Sequence, residues 1–185
     1  TFTLDGVLDS SAKQVAGTAS TLKLYVAFSG DKLYIATDDA GEGSDHFILL
    51  SGTGTGAARP APWGKTGTVA FSGKTLFIAD ENDNGYAGIY ELDPDKTLAD
   101  NATSTADLGV ATSASNGGVV EAVINLKQVF GSVPQKIWIA AGPWATAAKG
   151  VLYPAAAVPA SKDNDGNIDA NEILSLSLPS LTVNP

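Results

Sequence analysis

Apolar and polar positions alternate with a period of two through most of the chain. The runs are Leu22 to Phe28, Leu33 to Thr37, His46 to Ser51, Val69 to Phe71, Leu76 to Asp80, Ile89 to Leu92, Val119 to Leu126, Ile137 to Ala141 and Ile173 to Leu178. Each has the length of a strand, is rich in β-branched or aromatic residues, and is bounded by Gly, Asp or Ser. Only Leu126 to Phe130 reads as a helical turn. Strands at this spacing predict an all-β fold, an antiparallel β-sandwich of immunoglobulin-like or jelly-roll-like kind with little helix. Two stretches echo one another. Val26-Ala27-Phe28-Ser29-Gly30 precedes Leu33-Tyr34-Ile35-Ala36, and Val69-Ala70-Phe71-Ser72-Gly73 precedes Leu76-Phe77-Ile78-Ala79. Both read as β-hairpins closed by a Ser-Gly turn.

A finer pattern recurs in four strands: apolar, aromatic, β-branched, Ala. Side chains alternate faces along a strand. One face therefore collects Leu, Val and Ile as an inter-sheet core, and the other collects Tyr25, Tyr34, Phe77 and Trp138. That aromatic face is either a stacking platform for sugar rings or a surface covered by loops or a neighbouring domain. Three segments read as long loops within one domain spanning residues 1–185: Ser51 to Gly67 around Trp63, Asp93 to Ser104, and Pro143 to Ser161 with Trp144 and Tyr153.

The length of 185 residues suits one large domain, and 44% hydrophobic against 17% charged residues supplies a sizeable core. The net charge is −9, and Arg59 is the only arginine. Nucleic-acid recognition, which leans on Arg forks and basic patches, is disfavoured. No apolar run approaches the length of a membrane-spanning helix. With no cysteine, no methionine and the single histidine His46, disulfides, thiolate metal sites, Cys nucleophiles and His/Met haem ligation fall away. The missing methionine is expected of a piece excised from a larger protein. What remains is carboxylate chemistry, hydroxyl or lysine nucleophiles, and oxygen-ligated cations.

The acids are 15 Asp against 5 Glu, a bias toward turns and toward hard oxygen ligands. The sharpest local motif runs from Ser161 to Glu172. Set against an EF-hand loop, Asp163 and Asp165 take the third and fifth positions and Gly166 the sharp turn. Asn167 offers a backbone carbonyl, Ile168 is the apolar position, Asp169 the ninth, and Glu172 the closing bidentate acid. Ser161 stands where an Asp is expected, and Pro154 and Pro159 forbid a regular incoming helix. The expectation is a Ca²⁺ loop without paired helices, against a plain Asp/Asn/Gly surface turn. Asp80 to Gly85, with Asp80 and Asp83, and Asp38 to Asp45 share the composition without the spacing. No catalytic constellation emerges. His46 lacks a nucleophile elbow, Gly52 to Gly56 lacks the Lys-Ser/Thr of a phosphate loop, and Glu121 is the one clear in-strand acid.

Several stretches together resemble DOMON-type and family-nine carbohydrate-binding-module-like β-sandwiches, as appended to glucodextranase-like secreted glycan-active enzymes. They are Leu4 to Asp9, Leu33 to Thr37, Asp45 to Ile48, Asp80 to Tyr86 and Val120 to Leu126, with Asn125 where Pro is common in that family. The resemblance implies a secreted, extracellular or cell-surface module of two antiparallel sheets, often with bound calcium. It also implies an oligosaccharide or polysaccharide ligand held on aromatic rings, for which the candidates are Trp63, Trp144, Tyr86, Tyr153 and Trp138. The expectation is thus a non-catalytic, calcium-stabilised carbohydrate-binding accessory module. The alternative is a structural or adhesion domain that packs against a neighbouring domain of its parent and takes no sugar.

Overall fold

The computed structural model describes residues 1–18, 22–38, 43–81, 86–92, 96–97, 108–113 and 118–184. In chain order the strands are β1 (Lys13–Ala16), β2 (Leu24–Ser29), β3 (Lys32–Thr37), β4 (Ser44–Ser51), β5 (Gly54–Pro60), β6 (Thr68–Ser72) and β7 (Thr75–Asp80). They continue with β8 (Ala87–Glu91), β9 (Lys96–Thr97), β10 (Gly109–Ser113), β11 (Val120–Asn125), β12 (Lys136–Ala145) and β13 (Leu174–Ser177). A short helix, α1 (Leu126–Phe130), stands where the helical turn was expected. It stops at Gly131, whose φ of 83° lets its N–H return to the Lys127 carbonyl.

Eleven of the described strands form two antiparallel sheets packed as a sandwich, and β5 and β6 pair as a third. One has the order β1-β2-β3-β11-β10 and the other β13-β12-β4-β7-β8-β9. The inter-sheet core is the aliphatic face that the alternation predicts. Leu24, Val26, Leu33 and Ile35 from the first sheet meet Ile48, Leu50, Leu76, Ile78, Ile137 and Ile139 from the second.

The aromatic positions do not share one face. Tyr25 and Tyr34 lie on the outside of the first sheet, while Phe77 and Trp138 lie on the outside of the second. Both outer faces are covered. The N-terminal segment brings Phe2, Leu4, Leu8 and Ala12 onto Ala27, Tyr34 and Ala36. Over the second sheet, Val69, Phe71, Leu152, Ala157 and Ile168 close on Phe47, Leu49, Phe77 and Ala140, making a second core.

The first echo is a hairpin: Ser29 pairs with Lys32, and Gly30 at φ 66° supplies the positive φ of a two-residue turn. The second is not. β6 pairs with β5, and β7 pairs with β4 and β8. Ser51 opposes Thr75 and Gly54 opposes Ser72, so β4–β5 and β6–β7 are two arms of one long hairpin that bends sharply. The Ser51 hydroxyl holds the bend by donating to the Ser72 carbonyl at 2.8 Å and accepting the Thr53 N–H at 3.0 Å. The outer half folds back over its own sheet as a flap. Most of the expected Ser51 to Gly67 loop is therefore strand β5 and the flap's tip. Similarly, β12 continues through Pro143 and Trp144, where a loop was expected, because those residues still pair with His46 and Asp45. Of the expected Asp93 to Ser104 loop, only the short strand β9 is described.

Candidate metal centre

The segment after Ser161 wraps against the flap. Ile168 bridges Val69 in parallel, with its N–H on the Thr68 carbonyl at 2.9 Å and its carbonyl accepting the Ala70 N–H at 2.9 Å. Oδ1 of Asn167 accepts both the Thr68 N–H, at 2.9 Å, and the Thr68 hydroxyl, at 3.3 Å. The loop is thereby fixed to β6 on one side. On the other, a tight 3-10 turn from Ala170 to Glu172 delivers the chain into β13.

This brings together Asp163, Asp165, Asp169 and Glu172, each offering a carboxylate oxygen within 4.8 Å of the others. Glu172 is the buried anchor. One oxygen accepts the Asp169 N–H at 2.8 Å; the other accepts the Lys162 N–H at 2.6 Å and the Ser161 hydroxyl at 3.0 Å. Burial acts to raise this carboxyl. The amides of Asp169 and Lys162 and the Ser161 hydroxyl outweigh it and hold Glu172 below its ordinary value. Asp169 goes the other way, to about 6, through a hydrogen bond to Asp163, burial, and the charges of Asp163, Asp165 and Glu172. Asp165 caps the turn at Gly166, accepting the Asn167 N–H at 3.0 Å. Asn164 takes φ 55°, a conformation Asn tolerates better than most residues.

Such a cluster is short of positive charge. A hard divalent cation would offset the repulsion among these carboxylates, and carboxylate oxygens are the ligands calcium prefers. The donors fit: Asp163, Asp165, Asp169 and Glu172 would hold the ion, Glu172 through the lone pair left on Oε1. Asn167, expected to offer its backbone carbonyl, has its side chain on Thr68 and Asp165. Ser161, in place of the first acid, braces Glu172 and accepts the Asn164 N–H at 3.0 Å.

The aromatic candidates are dispersed. Trp144 is 1% exposed and packs at 5.0 Å on Phe47. Trp63, at the flap tip, is half-buried, edge-on to Phe47 at 5.4 Å and to Tyr90 at 5.5 Å. Its φ of 54° is unusual for a bulky residue. Trp138 is half-buried beside Gly54 of the flap. Tyr86 is 39% exposed, with its hydroxyl on that of Tyr90, and Tyr153 is 45% exposed. Of the five, Trp63 and Trp144 meet through Phe47 in a packed cluster with Phe77 and Tyr90, Tyr86 touches it through the Tyr90 hydroxyl, and Trp138 packs against the same core. The sequence reading missed Tyr90 and Phe47 as partners. The period-two pattern marks both as strand residues, but nothing marks which ring the flap lays against them. The Asp80 to Gly85 stretch falls partly outside the described residues, as does Asp38 to Asp45; Asp83 is among those outside.

Comparison with protein-family models, with curated proteins and with solved structures gives no match.

Proposed function

We propose that the chain is a non-catalytic β-sandwich module, stabilised by calcium, that serves as a structural or adhesion domain packing against a partner domain. Membership of the DOMON-type group, a secreted location and the calcium ion are parts of this proposal. The observation that carries it is the placement of the three tryptophans. All lie on the flap-covered side of one sheet, where their rings meet other rings edge-on or lie under chain. A sugar platform needs ring faces open to solvent. Trp144 is buried in a core and Trp63 and Trp138 are half-buried against it, so the structural role is favoured over the carbohydrate-binding one. Calcium is supported by the four converging carboxylates at EF-hand-like spacing, fixed to both the flap and β13.

Two measurements test the reading. An ion that binds only the folded form raises stability by RT ln(1 + [Ca²⁺]/Kd), about 2.7 kcal/mol at a hundredfold excess over Kd. Melting should therefore shift upward from EGTA to millimolar CaCl₂ in the parent and not in Asp165→Ala. A parent that ignores calcium removes the ion from the proposal. Titration with a broad set of oligosaccharides should leave tryptophan fluorescence unchanged. A saturable change lost in Trp63→Ala would reinstate the carbohydrate-binding role.

A further inference from the structure

The flap tip is held by a buried lysine. Lys65 is 6% exposed and Asp45, at the start of β4, is 8% exposed. Lys65 Nζ lies 2.8 Å from Asp45 Oδ2, 2.8 Å from the Ala145 carbonyl and 2.9 Å from the Ala147 carbonyl. Next to Lys65 in the chain stands Gly64 and then Trp63. Across the sheet from Asp45 stands the buried Trp144. Both charged groups lie in a largely buried site. The chain has no cysteine, so no disulfide ties the flap to the sheet it covers.

We propose that Lys65 and Asp45 condense into an intramolecular amide, a covalent staple between the flap tip and β4. The geometry orients both partners. Two of the three Nζ hydrogens are held by the carbonyls of Ala145 and Ala147, and the third faces the carboxylate. When that proton passes to Oδ2, it removes two charges from a site where desolvated charges are costly. It also leaves the nitrogen lone pair directed at the Asp45 carboxyl group. Cγ is one bond beyond Oδ2, so a turn of the Asp45 carboxyl about Cβ–Cγ presents its face to the nucleophile. The Nζ–Cγ bond forms and the Cγ–O bond breaks. A second Nζ hydrogen passes to the departing hydroxyl, which leaves as water. The remaining N–H keeps one of the two backbone carbonyls as acceptor. No oxidant, reductant or further reactant is needed. The staple is independent of the calcium reading, because its atoms lie outside the carboxylate cluster.

Intact mass spectrometry of the purified chain decides it. The expected mass is lighter than that of the sequence by one water, and a digest should yield a branched peptide joining the Lys65 and Asp45 segments. Asp45→Asn should instead lose one ammonia, since the same acyl carbon then expels a different leaving group. Lys65→Arg should show the full sequence mass. A parent that keeps its full mass after prolonged incubation in the folded state overturns the proposal. A loss of water that persists in Lys65→Arg also overturns it, because the dehydration then belongs elsewhere.

Discussion

Glu121 carries its carboxylate into a fully buried position on the outer face of the first sheet, and the N-terminal segment is built around it. One oxygen accepts the Tyr34 hydroxyl at 2.8 Å; the other accepts the N–H groups of Asp5 and Gly6, at 3.0 and 2.6 Å. Tyr34 in turn accepts the Asp9 N–H at 3.1 Å, and burial above all pushes its phenol upward. Removing one partner of a buried polar set leaves the others desolvated and unpaired. Glu121→Ala should therefore cost on the order of 3 kcal/mol, and Tyr34→Phe about 1–2 kcal/mol, by urea unfolding. Equal, negligible losses would show that the N-terminal segment is not held this way. The in-strand acid was visible in the sequence, but its partners were not, because they lie 87 to 116 residues away. Asp169 makes a second prediction at this scale. Its folded value of about 6 lies above the ordinary 3.8. Between those values the folded state keeps a proton that the unfolded chain has released. Stability of the calcium-free protein should thus fall as pH rises from about 4 through 6. Glu172, held below its ordinary 4.5, contributes in the opposite sense and loses its contribution on acidification. Melting temperature in EGTA across that range should decline toward neutrality, and calcium should abolish the decline.

At the level of elements, the flap shows what a single sequence cannot reveal. The alternation located the cores of most strands, since each buries one face and a period of two records it. It did not locate β5, Gly54–Pro60, whose residues are largely exposed and rich in Gly, Ala and Thr, nor β1 and β10 at the edges. Nor did it distinguish a hairpin from a bend: Ser29-Gly30 and Ser72-Gly73 read alike, yet one reverses the chain within a sheet and the other folds a ladder back on itself. The candidate calcium loop was legible as a spacing of acids, while its attachment to β6 depends on long-range hydrogen bonds. Gly67 is where that attachment is tightest. Its φ is 103°, and a Cβ there would stand 2.3 Å from the Gly166 carbonyl oxygen. Gly64, also at positive φ (69°), has open space around it. Gly64→Ala should cost only the left-handed backbone penalty, about 1–2 kcal/mol. Gly67→Ala carries that penalty and must also push the loop off β6, so it should be clearly the more destabilising by chemical denaturation. It should weaken calcium binding as well. Equal costs at the two glycines would mean the loop yields without resistance.

For the whole molecule, the question is whether the two cores unfold as one. Strands β4, β7 and β12 have one face in each core: Ile48, Leu50, Ile78 and Ile139 point inward, while Phe47, Leu49, Phe77 and Ala140 point under the flap. The two layers are thus coupled through shared strands, and loss of either core leaves those strands with an apolar face in water. The flap is also continuous with β4 and β7 and is fixed at its tip by Lys65 and along its edge by Ile168. Local opening free energies can differ widely within one protein, but here the buried area under the flap leaves little for a partly open state to gain. All three tryptophans report the flap-covered core, whereas far-UV circular dichroism reports every sheet. Urea unfolding followed by tryptophan fluorescence and by circular dichroism should give coincident transitions, as a two-state unit requires. Phe71→Ala, which empties the flap side of the second core, should lower both midpoints together, by roughly 3–5 kcal/mol of stability. If fluorescence changes first while the dichroism signal persists, the flap peels away alone. The second core would then be an accessory layer on an independently stable sandwich.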